Sequence, residues 1–265
     1  MRYLLLLALL VFTFQTLLAQ NQPLSKNEYC KKSSDPHFFQ KLLETHAPTR
    51  MSFYNHGGLF NLGVCWWHSL FQRNALYLTY YSPQKERPSY SEVKRLIRKI
   101  RLGRSVVEIP GFTSFYEFSF HYTKEIQHEL NYWQIHDGVL LSKWFPALTK
   151  PYHLNPKLLK AKMDDLYLAV KKGRVVFQML QFQGVVAHGW LVTDVVKTEI
   201  GYDLKIIESN EPNKTLEFIY QDGDSYLNFG FGKSQDYKFV PYTDYEYDLN
   251  LIYKSMSNFC KKEKR

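Results

Sequence analysis

The chain has 265 residues, 45% hydrophobic and 17% aromatic, with a formal net charge of +9. That length suffices for one sizeable core or two small lobes, and the charge favours acidic surfaces, anionic lipids or polyanions without naming one. Phosphate-loop and dinucleotide fingerprints and Cys-x-x-Cys pairs are absent, the HELNY text at His128 lacks the second histidine of HExxH, and no nucleic-acid-binding motif accompanies the basic and aromatic residues, so no metal, cofactor or nucleic acid is expected.

The first 19 residues read as a secretory signal. Arg2 gives a positive start, Leu4 to Phe14 is an apolar run, and Ala19 is a small residue before a cleavage point at Gln20. The run is short for a spanning helix of about 20 residues and no second one follows. A secreted or periplasmic mature chain without stable membrane insertion is therefore expected. Residues 20–54 form an N-terminal extension, in which residues 21–50 are polar and loop-like with one short helix around Phe38 to Leu43. Residues 51–64, MSFYNHGGLFNLGV, carry loop chemistry.

From Cys65 the pattern changes to a largely buried helix through Trp66, Leu70, Ala75, Leu76 and Leu78, closed by a break from Pro83 to Pro88. Ser91 to Arg104 is amphipathic, with Val93, Leu96, Ile97 and Ile100 at helical offsets. Its cluster Lys94, Arg95, Arg98, Lys99, Arg101 and Arg104 reads as a solvated face. A helix over Thr123 to His136 with Gly138 as its stop follows. Another begins at Asn155-Pro156, since Asn caps and Pro suits the first turn, and runs to Gly173. Beyond Gly173 the segments RVVFQMLQF, VVAHGWLVTDVV, YDLKIIES and TLEFIYQ are rich in β-branched and aromatic residues between short turns. The Tyr-rich text from Tyr226 extends that pattern, and Lys261, Lys262, Lys264 and Arg265 form a basic tail. The expected class is α+β, with a helical first lobe and an antiparallel β-sheet second lobe, in one domain over residues 55–265.

Three cysteines leave an odd thiol in an exported chain. Cys30 and Cys260 lie near the two ends, which often sit close together, and a bridge between them is expected. Two unpaired thiols are the alternative. Cys65 differs: it opens a helix, where backbone N–H groups stabilise a thiolate. Its best partner is His188, on a strand beside Gly189, which permits close approach and exposes the ring. A third polar group should orient the imidazole. Glu208 and Asn210, on one face of a continued next strand, both qualify.

The order of Cys65 at a helix start, His188 on a strand, and Glu208 or Asn210 on the following strand resembles the papain-like cysteine peptidases. GVCWWHS is similar to that family's Gly-x-Cys-Trp signature, and the His188 and IIESNEP segments resemble the corresponding strands of its bacterial and bacteriocin-leader-peptidase-like members. Residues 55 to about 225 carry the resemblance. It implies a papain-like fold and an exported thiol hydrolase that cleaves peptide or amide bonds through a Cys-His-Glu/Asn site and a thioester, with a peptide, protein or cell-wall peptide as substrate. The same apparatus would serve an amide-directed acyltransferase. The family's oxyanion glutamine, six residues before the cysteine, is replaced by Leu59. Asn61 is then the nearest amide and Asn55 a second candidate, with the Cys65 backbone N–H as one donor in either case. That replacement keeps open a papain-like fold retired into binding. Trp66 and Trp67 are expected in wall and core, and His68 on the surface or beside the site.

Overall fold

A computed structural model describes residues 24–45, 47–59, 63–141, 149–182, 187–230, 236–243 and 246–262. The expected signal at 1–19 lies outside these residues. Among them no helix is long and apolar enough to cross a membrane. The architecture is α+β: a helical region and a separate antiparallel sheet.

The helical region is built around α3 (Cys65–Leu78), packed against α4 (Tyr90–Leu102), α5 (Phe115–His121) and α6 (Thr123–Trp133). Trp67, Phe71 and Ala75 from α3 meet Val93, Ile97 and Ile100 from α4 and Ile126 and Leu130 from α6 in one core. The amphipathic spacing read from the sequence is what creates this contact. Ser89 and Glu92 form a capping box at the start of α4, and Gly103, in the left-handed region at φ 67°, closes it. Asn74 of α3 donates to the last carbonyls of α4, Ile100 O at 3.0 Å and Arg101 O at 3.1 Å. Two short strands, β1 (Thr79–Ser82) and β2 (Val107–Pro110), pair in parallel beside this bundle.

The second lobe is a six-stranded antiparallel sheet of β3 (Val176–Phe182), β4 (Ala187–Lys197), β5 (Gly201–Glu208), β6 (Leu216–Gln221), β7 (Leu227–Gly230) and β8 (Asp236–Thr243), in the order β6-β5-β4-β3-β8-β7. Helix α7 (Pro156–Lys171) covers one face, burying Leu159, Met163 and Leu166 against Trp190, Val192 and Ile206. Asn155 caps it, its Oδ1 accepting from Lys157 N at 2.9 Å.

Several expectations need correction. Among the described residues of 21–50 there are two helices rather than one, α1 (Lys26–Lys32) and α2 (Phe38–Thr45), followed by a short 3-10 turn at Ala47–Thr49. The segment contributes to the core. Tyr29, Phe39 and Leu43 are fully or almost fully buried, in a core shared with Tyr77, Phe177 and Leu191 between α3 and the sheet. Polar surface residues mask these few anchors in the sequence. Gly138 does not stop the helix that follows Thr123. The chain widens into a π-helical stretch, Gln134–Leu140, that passes through it. The C-terminal text is not all strand: α8 (Glu246–Lys262) seals the shared core with Leu249, Ile252 and Met256. Cys30 of α1 is bonded to Cys260 of α8, with the Cα atoms 5.5 Å apart.

Candidate functional site

Cys65 is the free cysteine, half-buried at the first position of α3. Its N-cap residue, Val64, has no side chain able to cap, so the tip of the helix presents backbone N–H groups that the helix itself leaves unpaired. Strand β4 of the sheet meets α3 here. The Cys65 thiol points at Ala187 O, 3.8 Å away, Trp66 Nε1 donates to His188 O at 2.9 Å, and Ser69 Oγ donates to Gly189 O at 3.2 Å. One helical turn is thereby bonded to three successive residues of β4.

Gly189 is what lets the two elements close. A Cβ there would lie 2.9 Å from Phe177 Cε2 and 3.2 Å from Trp66 Cδ1. Its effect on the neighbouring ring is opposite to the sequence expectation. His188 is only 9% exposed, because the close helix–sheet approach covers it.

His188 bonds through Nε2 to Glu208 Oε1 and is in hydrogen-bonding contact with Cys65. Glu208 is reached across the ladder: it pairs opposite Trp190, and His188 lies two residues from Trp190 on the same strand. Burial alone would drive the ring neutral. The nearby Cys65 sulfur, through charge and hydrogen bond, and then the bond to Glu208 outweigh it and lift the His188 pKa to about 10. Imidazolium is the favoured form.

Asn210 is not on the strand, which ends at Glu208. The turn brings its backbone N–H to Glu208 Oε2 at 3.0 Å, while its side-chain Oδ1 accepts from Asn55 Nδ2 at 3.1 Å. The ring partner in this arrangement is therefore Glu208, with Asn210 holding the carboxylate from behind. Asn61 lies outside the described residues. Asn55 is committed at both ends, since its Oδ1 also accepts from Val64 N at 2.5 Å.

The loop before Cys65 is held from α6 and the π-helical stretch. Gln127 Nε2 donates to His56 O at 2.9 Å, Asn131 Oδ1 accepts from Gly58 N at 3.1 Å, and Gln134 bonds Leu59 N at 2.8 Å and Gly63 O at 2.9 Å. No spacing in the sequence announces these three amides; only the fold brings them to the loop. His68 is not on the surface. It is 1% exposed, its Nε2 bonds Phe53 O at 2.9 Å, and burial pushes its pKa down to about 4. Trp67 is core, and Trp66 forms part of the site wall. The basic residues Lys94, Arg95, Arg98, Lys99 and Arg104 are exposed, whereas Arg101 is half-buried against Glu129 at 2.5 Å.

Comparison of the chain with protein-family models, curated proteins and solved structures yields no match. Among the described residues no three His, Cys, Asp or Glu side chains gather as a metal-binding group.

Proposed function

We propose that the chain is an exported, papain-like thiol hydrolase acting on peptide or amide bonds, with Cys65 as nucleophile, His188 as general acid and base, and Glu208 as the group that orients His188. The observation that carries this reading is a buried imidazole bonded to Glu208 and also in hydrogen-bonding contact with a sulfur at a helix tip. Such a ring favours a thiolate–imidazolium pair, and the thiolate is the nucleophilic form.

The reaction follows from the groups present. The Cys65 thiolate adds to the carbonyl carbon, and helix-tip N–H groups stabilise the oxyanion. The C–N bond breaks as His188 gives its proton to the leaving amine, leaving a thioester. Water then loses a proton to His188 and adds to the thioester. The C–S bond breaks, releasing the acid and restoring the thiolate beside the imidazolium. An amine in place of water would make the same apparatus an acyltransferase. Export is supported by the N-terminal signal pattern and by the Cys30–Cys260 bridge, which suits an oxidising compartment.

A binding module that keeps the fold without the chemistry is the second reading, favoured by Leu59 at the oxyanion-amide position. Alkylation by iodoacetamide and cleavage of a mixed peptide substrate separate the two. The hydrolase reading expects Cys65 to label at neutral pH at least about tenfold faster than a free model thiol, with cleavage lost in Cys65→Ala and fast labelling lost in His188→Ala. Labelling no faster than the model thiol, with no cleavage, supports the binding module.

A further inference from the structure

Two structures must be held in register for this site to work: the tip of α3, which carries Cys65, and the turn after β5, which holds Glu208. They belong to different lobes and far-separated parts of the chain. One residue from neither element touches both. Asn55 accepts from Val64 N at 2.5 Å through Oδ1, donates to Asn210 Oδ1 at 3.1 Å through Nδ2, and donates from its own backbone N to Ser209 O at 2.8 Å. Asn210 in turn supplies the N–H that binds the second oxygen of Glu208.

We propose that Asn55 is a positioning residue that couples the nucleophile's helix tip to the carboxylate turn; this rests on the thiol-hydrolase reading of the site. The chemistry of the side chain fits the task. One end must accept from an amide N–H and the other must donate to an amide oxygen, at the reach of a single methylene. Asparagine does both, aspartate can only accept when ionised, and serine is too short to span the gap. The amide also lies flush on its loop. A Cβ at Gly63, which has φ 91°, would come within 2.5 Å of Asn55 Nδ2 and 2.8 Å of its Oδ1, so glycine keeps the space the amide fills. The loop behind is anchored by Gln127, Asn131 and Gln134, and His68 holds Phe53 O. Asn55 is thus carried on a fixed support, and loss of its side chain frees the two ends it joins. Misplacement of reacting groups by about 1 Å suffices for a large rate loss.

The test is the rate of Cys65 alkylation by iodoacetamide across pH in the full chain, with thermal unfolding in parallel, for Asn55→Ala, Asn55→Asp, Asn210→Ala and the Asn55→Ala/Asn210→Ala double variant. Each single change breaks the Asn55–Asn210 bond and is expected to lower the neutral-pH rate at least about tenfold, the worth of that one hydrogen bond, and to move the profile toward higher pH. Asn55→Asp should resemble Asn55→Ala, because it loses the donor. The double variant should be no slower than the worse single one, since the two side chains act as one unit. Asn210 is exposed and its backbone N–H survives substitution, so Asn210→Ala carries the test if Asn55→Ala does not fold. A lowered melting temperature with an unchanged pH profile, or fully additive effects, overturns the proposal. His188→Ala separates the two levels: if it labels as fast as wild type, the hydrolase reading fails whatever Asn55 does. If it loses fast labelling while the Asn55 and Asn210 variants keep it, only the positioning role fails.

Discussion

His68 lies one helical turn beyond Cys65, sealed from solvent and bonded to Phe53 O. Glu208, His56 and His188 are the charged or titratable groups that act on it, yet burial dominates and holds its pKa at about 4. The consequence for stability has a definite sign. Between pH 6.5, the ordinary histidine value, and about pH 4, the unfolded chain takes a proton that the folded chain refuses. The His68 contribution is therefore fully present above pH 6.5 and is lost as pH falls to 4, by about 3 kcal/mol in all. Urea unfolding measured across that range should show a steeper loss in wild type than in His68→Gln, whose amide can still donate to Phe53 O. Equal slopes would mean that His68 is not the buried neutral ring described.

At the scale of elements, the site depends on how closely α3 approaches β4. Gly189→Ala places a methyl against Phe177 and Trp66. Overpacking of that kind costs about 1–3 kcal/mol, and it separates the helix tip from the strand that carries His188. A lower urea midpoint together with slower Cys65 alkylation is expected; wild-type values for both would show that the contact has slack. These elements also show what the sequence discloses and what it hides. The start of α3 at Cys65, the helix expected from Ser91, the helix at Asn155 and the strands around His188 and Glu208 are written in local patterns: apolar periods, the Asn155 cap and β-branched runs. Helix α8 was hidden because a Tyr-rich stretch leading into a basic tail shares its composition with the strands before it. The burial of His188 and His68, and the grip of Gln127, Asn131 and Gln134 on the loop before Cys65, depend on contacts between segments far apart in sequence, which no local period encodes. Asn55 stands in a glycine-rich loop whose text suggests only a turn.

At the scale of the molecule, the two lobes are bound by a shared core in which α1, α2 and α8 join α3 to the sheet. The Cys30–Cys260 bridge ties the two ends of that layer across 230 residues of sequence. In the chain-entropy account a loop of this length destabilises the unfolded state by about 5 kcal/mol. Arg50 adds a second tie. Its guanidinium donates to Leu43 O at 3.0 Å and Glu44 O at 3.1 Å at the end of α2, and to Thr215 Oγ1 at 2.7 Å beside the sheet. The docking of the lobes is what creates the pairing of a helix-borne sulfur with a strand-borne imidazole.

The most direct measurement of that pairing is the titration of His188, followed by nitrogen-15 NMR of histidine-labelled protein in wild type and in Cys65→Ser. In wild type the ring should hold its proton until about pH 10, and replacing the sulfur should bring the transition down markedly. A wild-type ring that titrates near its ordinary value of about 6.5, or one indifferent to Cys65→Ser, would contradict the account.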